Sequence, residues 1–328
     1  MKDLKVITFS KKGYDDFIDF IKAYAILCVL FGHTFLWLDK VAYAAWAGMQ
    51  VPLFILVQVF HGYKKEKVIF SFRKLFKRVL LPFFIVEFIT FVLALIIRGY
   101  ECNALVVNMI NGGGCGPGSY YPWIYLQVAL LIPMFGLMLN KCNRWISLFV
   151  FLFICEGTEV LLSLVDISEM AYRLLAVRYL FLLFLGWLWV KDGVRVNGVT
   201  ILLSVISLIT IIYFEYFSVN DEPWFFSTKW KTHRWPCYFF VANGLVALLS
   251  VVWEKMKGNR YIKFAVEKLA SSSYEIFLVQ MMTIYLFKWS DLTIIPSMPI
   301  RYGVWVIVVW GISVLGGIFI KKAFARFA

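Results

Sequence analysis

The chain has 328 residues, of which 62% are hydrophobic and 16% charged, with a formal net charge of +13. A mean hydropathy of +0.78 is more than a water-soluble globule of this size can hide, because part of any globule faces water. Lipid is the solvent that fits. The short alternating segments of a β-barrel are absent, so an all-α integral membrane protein is expected.

Ten apolar segments approach the roughly 20 residues that cross about 30 Å of hydrocarbon as a helix. They are residues 18–37, 42–60, 79–97, 122–139, 145–164, 170–190, 199–217, 236–254, 272–288 and 303–320. They make a single membrane domain over residues 1–328, with an N-terminal segment at 1–17, the ten-span core at 18–320 and a tail at 321–328. The first span contains Asp19 and Lys22 and no small-residue cleavage site follows it, so it is read as retained rather than as a cleaved leader. With the N-terminus inside, 23 of the 33 Lys and Arg fall on the inner side and eight on the outer, while Lys22 and Arg178 lie within spans. That is the positive-inside pattern, which places both termini in the cytoplasm and explains the basicity without a nucleic-acid partner.

The first span, IDFIKAYAILCVLFGHT over 18–34, carries an acid, a lysine and a histidine. An ionisable group in a membrane faces a cavity or a partner. Asp19 and Lys22 sit near the inner edge, where an interfacial ion pair accounts for them. His33 lies eleven residues on, which at about 100° per residue is three turns plus about 20°. Lys22 and His33 therefore point the same way, about 16 Å apart along the helix, with Ile26, Val29 and Leu30 between them. A neutral histidine can act as a general base near pH 7. A buried histidine bonded to a neighbouring helix fits the same segment.

After the second span, residues 61–78 hold seven Lys and Arg against one Glu. On a helix Lys74, Lys77 and Arg78 would cluster at i, i+3 and i+4, with Arg73 beside them and Pro82 opening or kinking the next span. Basic juxtamembrane loops are ordinary topology signals. Cations beneath the Lys22–His33 strip would also suit a phosphorylated ligand, and His61 at the end of span two could face them.

Residues 111–127, NGGGCGPGSYYPWIYLQ, form a glycine-rich outer loop leading into span four. Without a GxxxxGK[ST] pattern it is not a phosphate-binding loop. A shaped lid or substrate-contact loop is expected, with a plain connector as the alternative. Its aromatic residues Tyr120, Tyr121 and Trp123 suit an interfacial belt or sugar stacking. Span five contains Glu156 and Glu159 and span six contains Arg178. Carboxylate–guanidinium pairing across helices would lower their burial cost. The segment 221–236 is rich in Trp, Lys, Arg and includes His233, and could contact a glycan or border the bilayer. Cys102 and Cys115 could bridge the loop after span three or remain thiols. No Cys/His cluster suggests a metal.

Taken together these segments resemble the membrane-bound acyltransferase family 3, the integral-membrane O-acyltransferases of surface polysaccharides. The resemblance rests on the acid-x-x-basic-x10-His of Asp19, Lys22 and His33, then FRKLFKRVLLP, GPGSYYPWIYLQ, RYLFLLFLG and SSSYEIFLVQ, in that order. The sequence departs from the family with lysine instead of arginine at Lys22, with FHGY where Ser-Gly is usual after span two, and with Gln280 where many members have histidine. The resemblance implies transfer of an acyl group, usually acetyl, from cytoplasmic acyl-coenzyme A to an extracytoplasmic hydroxyl, in the inner membrane of a bacterium. It implies His33 as catalytic histidine with Lys22 and Asp19 beside it. Lys74, Lys77, Arg78, Arg73 and His61 would meet the donor, and Tyr120, Tyr121, Gln127, Arg178 and Glu159 the acceptor, with Arg178 also a candidate to steady the oxyanion. Expected partners are acyl-coenzyme A (acetyl-CoA), a glycan or other hydroxyl acceptor and membrane lipids, with a homo-oligomer left open. The competing reading is a transporter or flippase of a small molecule or lipid-linked sugar, against which stands the lack of an internal repeat.

Overall fold

The structure is a computed structural model and describes residues 4–9, 15–35, 39–65, 70–165, 167–216 and 234–324. Most of the segment 221–236, with His233, lies outside the described residues. In chain order the elements are β1 (Lys5–Ile7), α1 (Asp16–Thr34), α2 (Lys40–Ala45), α3 (Gln50–Tyr63), α4 (Phe72–Leu75), α5 (Leu81–Arg98), α6 (Cys102–Gly112), α7 (Tyr121–Lys141), α8 (Arg144–Leu164), α9 (Glu169–Arg173), α10 (Leu180–Asp192), β2 (Val194–Val196), α11 (Gly198–Tyr216), α12 (Val246–Met256), α13 (Arg260–Ser271), α14 (Ser273–Leu286) and α15 (Met298–Phe324).

The protein is an all-α integral membrane protein, and each of the ten expected segments carries helix. Among the described residues eight helices are long and apolar enough to cross a membrane. The segments at 170–190 and 272–288 hold shorter helices, α10 with 13 residues and α14 with 14. At about 1.5 Å per residue these reach about 20 Å, less than the hydrocarbon thickness. They can be short because lipid does not surround them. Nearly every residue of α10 from Leu180 to Trp189 is buried, and so are Ile276 to Met281 of α14. A helix that is apolar all round belongs in a core. Lipid instead meets the outer helices, where Phe88, Ile96, Phe153, Leu161, Ile209, Ile307 and Phe319 are exposed.

α1 occupies the interior. Asp15 starts it by accepting the amides of Phe17 and Ile18 at 3.0 and 3.1 Å, and Ile18, Ile21, Ile26, Val29 and Leu30 are buried. α13 is amphipathic and packs against α1, and its Lys263 pairs with Asp16 at 2.7 Å. α15 covers α14 closely: a Cβ on Gly317 would lie 2.6 Å from the Ile276 Cα, the small-residue contact that lets membrane helices approach. A two-stranded antiparallel ribbon, unforeseen in the sequence, pairs Lys5 with Val196 and Ile7 with Val194. Phe9 then stacks on Trp189 at 5.2 Å.

The helix before span three is not uniform. Residues Phe76–Leu80 form a π turn, and the Leu81 amide reaches back to the Phe76 carbonyl. Pro82 has no amide to give the Arg78 carbonyl, so a widened turn accommodates it. Lys74, Lys77 and Arg78 therefore do not stack at regular α spacing.

The acids of α8, Glu159 buried and Glu156 half-buried, pair with Arg234 rather than with Arg178. Arg234 Nε and Nη2 donate to Glu159 Oε2 at 2.7 and 2.5 Å, and Trp235 Nε1 donates to Glu156 Oε2 at 2.9 Å. Replacing one partner of a buried ion pair strands the other charge, at about 3–5 kcal/mol. Arg234→Leu is expected to lower the thermal unfolding midpoint of the detergent-solubilised protein clearly. The double variant Arg234→Leu/Glu159→Gln should recover part of that loss, because no buried charge is then left alone with the lost guanidinium.

Candidate functional site

His33 stands in the last turn of α1. The Gln280 side chain, fully buried on α14, meets it with Nε2 2.9 Å from His33 Nδ1. Thr34 beside it bonds the Leu30 carbonyl at 2.7 Å and accepts from Trp310 Nε1 of α15 at 3.0 Å. The end of α1 is thus held by α14 and α15 together. Gln280 Oε1 has no hydrogen-bond partner. Amide orientation is set by the network around it. Turned by 180°, the amide accepts Nδ1–H through Oε1, and the Nε2 lone pair of the ring is left free for a substrate proton.

The glycine-rich loop is packed against this histidine. Ser119 Oγ donates to the Gly112 carbonyl at 2.9 Å, Trp123 Nε1 to the Gly113 carbonyl at 2.6 Å, and the Cys115 amide to Glu87 Oε2 at 2.7 Å. Gly116 and Gly118 have φ +94° and +89°, the left-handed region open to glycine. A Cβ on Gly118 would lie 2.8 Å from the Phe277 ring and 3.7 Å from His33 Cε1. Cys102 and Cys115 are both free thiols.

A cavity of about 300 Å³ opens beside His33, lined also by Ile284, Lys288, Trp289, Ser290 and Trp305. Its rim is clamped. Arg98 at the end of α5 grips Asp291 through both terminal nitrogens at 3.0 and 2.5 Å, Asp291 accepts the Lys288 amide at 2.8 Å, and Trp305 Nε1 donates to the Phe287 carbonyl at 2.9 Å. The hydrogen bonds from the Arg98 guanidinium hold the Asp291 carboxyl below the usual carboxylate range. Sequence reasoning passed over these lining residues. Their signal was the aromatic, basic and polar run FKWSD between the last two spans.

Cations gather at the opposite end of α1. Lys22 is paired with Asp19. The charges of Lys22, Lys64 and Arg78 act on His61, together with that of Asp19. Those of Lys268, Lys22 and Arg78 act on Lys321, together with that of Glu275. Residues from α1, α3, the π turn, α13 and α15 thus form one basic patch. Lys22, His61 and Arg78 were foreseen there; Lys268 and Lys321 were not. Arg73, Lys74 and Lys77 are exposed on the turns leading to Arg78.

A family model described as an acyltransferase domain, Acyl_transf_3, matches residues 15–320. The chain belongs to the acyltransferase 3 family. It is a membrane acyltransferase, as the resemblance implied. No curated protein and no solved structure matches it.

The remaining candidates of this acyltransferase divide by position. Tyr121 is buried at the start of α7, with its amide on the Gly118 carbonyl at 2.8 Å and its ring edge-on to Phe277 at 5.6 Å. It supports the loop beside His33. Gln127 donates to the Leu174 carbonyl at 2.6 Å and accepts the Ala176 amide at 2.9 Å, so it fastens the segment before Arg178 to α7. It also borders a second, apolar crevice of about 490 Å³ with Phe83, Phe84, Glu87, Trp123 and Leu174. Glu159 is engaged by Arg234. Tyr120 lies against Arg178. Among the described residues no group of three or more His, Cys, Asp and Glu is placed to hold a metal.

Two outcomes follow from this geometry. Gly118→Ala must push aside the Phe277 ring that packs beside His33, and a displacement of about 1 Å at a reacting group costs about 100-fold; acyl transfer should fall by up to that order with the protein still folded, read by comparing initial rates and size-exclusion profiles. The Arg98–Asp291 clamp contributes stability at neutral pH, because the folded carboxyl titrates below its unfolded value of about 3.9. Its contribution disappears as pH falls through that lowered value. Unfolding midpoints against pH should lose part of their acid-side slope in Asp291→Asn.

Proposed function

We propose that this acyltransferase moves an acyl group, acetyl in the simplest case, from acyl-coenzyme A at the basic patch to a hydroxyl of an acceptor in the cavity beside His33. The basic patch is placed in the cytoplasm, in keeping with the positive-inside distribution of Lys and Arg, and the cavity on the outer face of a bacterial inner membrane, where a surface polysaccharide is the acceptor class. The observation that carries this reading is the alignment along α1: Lys22 in a patch of cations at one end, and His33 at a cavity about 16 Å further along the same face.

The chemistry follows from the groups present. The nucleotide phosphates of the donor lie against Lys22, Lys64, Arg78, Lys268 and Lys321, where charge-assisted hydrogen bonds favour them. The thioester end runs along α1 to His33. With Gln280 on Nδ1, the Nε2 lone pair of His33 takes the acceptor hydroxyl proton as that oxygen attacks the thioester carbon. Negative charge then develops on the carbonyl oxygen, and Lys288, which lines the same cavity, supplies positive charge to offset it. Collapse of the tetrahedral intermediate expels the coenzyme A thiolate, which regains the proton from the imidazolium. Gln280 acts through His33 as a positioning residue.

The test uses the full chain in nanodiscs with acetyl-coenzyme A. Wild type should bind the donor and turn it over, by transfer or slow hydrolysis. His33→Ala should bind it and lose turnover by about 10²-fold or more. Lys321→Ala should raise the donor KM several-fold with little change in kcat. Gln280→Leu should lower kcat with KM nearly unchanged. If neither wild type nor variant binds any acyl-coenzyme A, the donor site is wrong and a transport role for the bundle becomes the better reading.

A further inference from the structure

Two arginines are buried at the His33 end of the bundle, and the fold treats them differently. Arg234, 1% exposed, has the carboxylates of Glu159 and Glu156 beside it. Arg178, 5% exposed, has none among the described residues. Its guanidinium carbon lies 4.8 Å from the Tyr179 ring and 5.7 Å from the rings of Tyr120 and Tyr172. Its Nε has no hydrogen-bond partner.

A guanidinium cannot shed its proton to escape burial. Held away from water without a counter-charge it costs several kcal/mol. Aromatic faces offset part of this, about 0.5–2 kcal/mol each, and leave the positive charge in place. They also supply no carboxylate to match the flat fork of donors. Such a cage stabilises the cation and leaves its Nε donor unmet.

The cage lies close to the reaction centre. Tyr120 is two residues from Gly118, where a Cβ would strike the Phe277 ring at 2.8 Å and touch His33 Cε1 at 3.7 Å. Gln127 ties residues 174 and 176 to α7, and the Arg178 carbonyl accepts the Tyr238 hydroxyl at 2.7 Å. The segment bearing Arg178 is therefore fixed relative to the loop beside His33.

We propose that Arg178 in its tyrosine cage binds an oxyanion of the acceptor, a carboxylate or a phosphate carried near the hydroxyl that is acylated. This rests on the acyl-transfer reading above for the word acceptor, and names its class: an acidic rather than a neutral sugar. A planar carboxylate accepts two parallel hydrogen bonds from a guanidinium, and a phosphate can do the same.

The experiment measures equilibrium binding of glucuronic acid, glucose 6-phosphate and glucose to the full chain in nanodiscs, with no acyl donor present. Wild type should bind at least one of the two anionic sugars about tenfold more tightly than glucose. Which of the two it prefers separates a carboxylate from a phosphate acceptor. Arg178→Gln should abolish the preference, and Arg178→Lys should keep only part of it. Equal affinity of wild type for all three sugars overturns the proposal, as does a preference that survives Arg178→Gln. If Arg178→Gln does not fold, Arg178→Lys decides, since an undiminished preference there denies the fork a role. A second arm compares hydrolysis of succinyl- and acetyl-coenzyme A. A succinyl preference lost with Arg178 would move the anion onto the acyl group and overturn the acceptor assignment. Because sugar binding is read without donor, failure of donor turnover strikes the acyl-transfer reading alone and leaves this result interpretable.

Discussion

Hydrocarbon offers no hydrogen bonds, so every polar group placed in it must find a partner inside the protein. That constraint organises the molecule. The glycine loop and the turn before α10 lie against other helices, where their backbone groups find partners. Long helices with apolar outer faces meet the lipid. The two helices too short to cross the bilayer stand within the bundle, with buried polar residues on or beside them: Gln280 lies on α14, and Arg178 sits immediately before α10. The same constraint explains why the acids of α8 are met by Arg234 and Trp235. A carboxylate there without a donor would be too costly to keep.

Within that frame α1 is the axis. It is among the most enclosed helices, and the polar residues it carries are concentrated at its two ends. At one end Lys22 joins cations from four other parts of the chain. At the other His33 meets α14, the loop before α7 and a cavity capped by the turn at Trp289–Asp291. Hydrophobic side chains fill the length between. A long thin donor entering at one end and a hydroxyl entering at the other would meet without either crossing the bilayer, which is the division of labour the proposed reaction requires.

Much of this was legible in the residues. The ten apolar segments declare the membrane class, and the spacing of Lys22 and His33 gives a shared helix face because helical periodicity is regular. The family resemblance follows from motifs in order. What the sequence hid has physical reasons. Lys268 and Lys321 join the basic patch from helices distant in the chain, which spacing cannot reveal. Gln280 is conspicuous as a departure, yet only the packing of α14 on α1 makes it the neighbour of His33. The π turn at Phe76–Leu80 shifts the register that placed Lys74, Lys77 and Arg78 on one face. Arg234 lies in what reads as a connecting loop, so its claim on Glu159 is invisible without coordinates, and Arg178 consequently reads as a partner it is not.

The bond between Trp310 and Thr34 joins residues 276 positions apart. His33 is therefore made well before its surroundings, which come with Gln280 on α14 and Trp305 and Trp310 on α15. A chain made only as far as α13 would hold His33 without the Gln280 amide and without the walls that Ile284, Trp289 and Trp305 give its cavity. The surroundings of His33 are thus complete only when the last two helices have packed against α1.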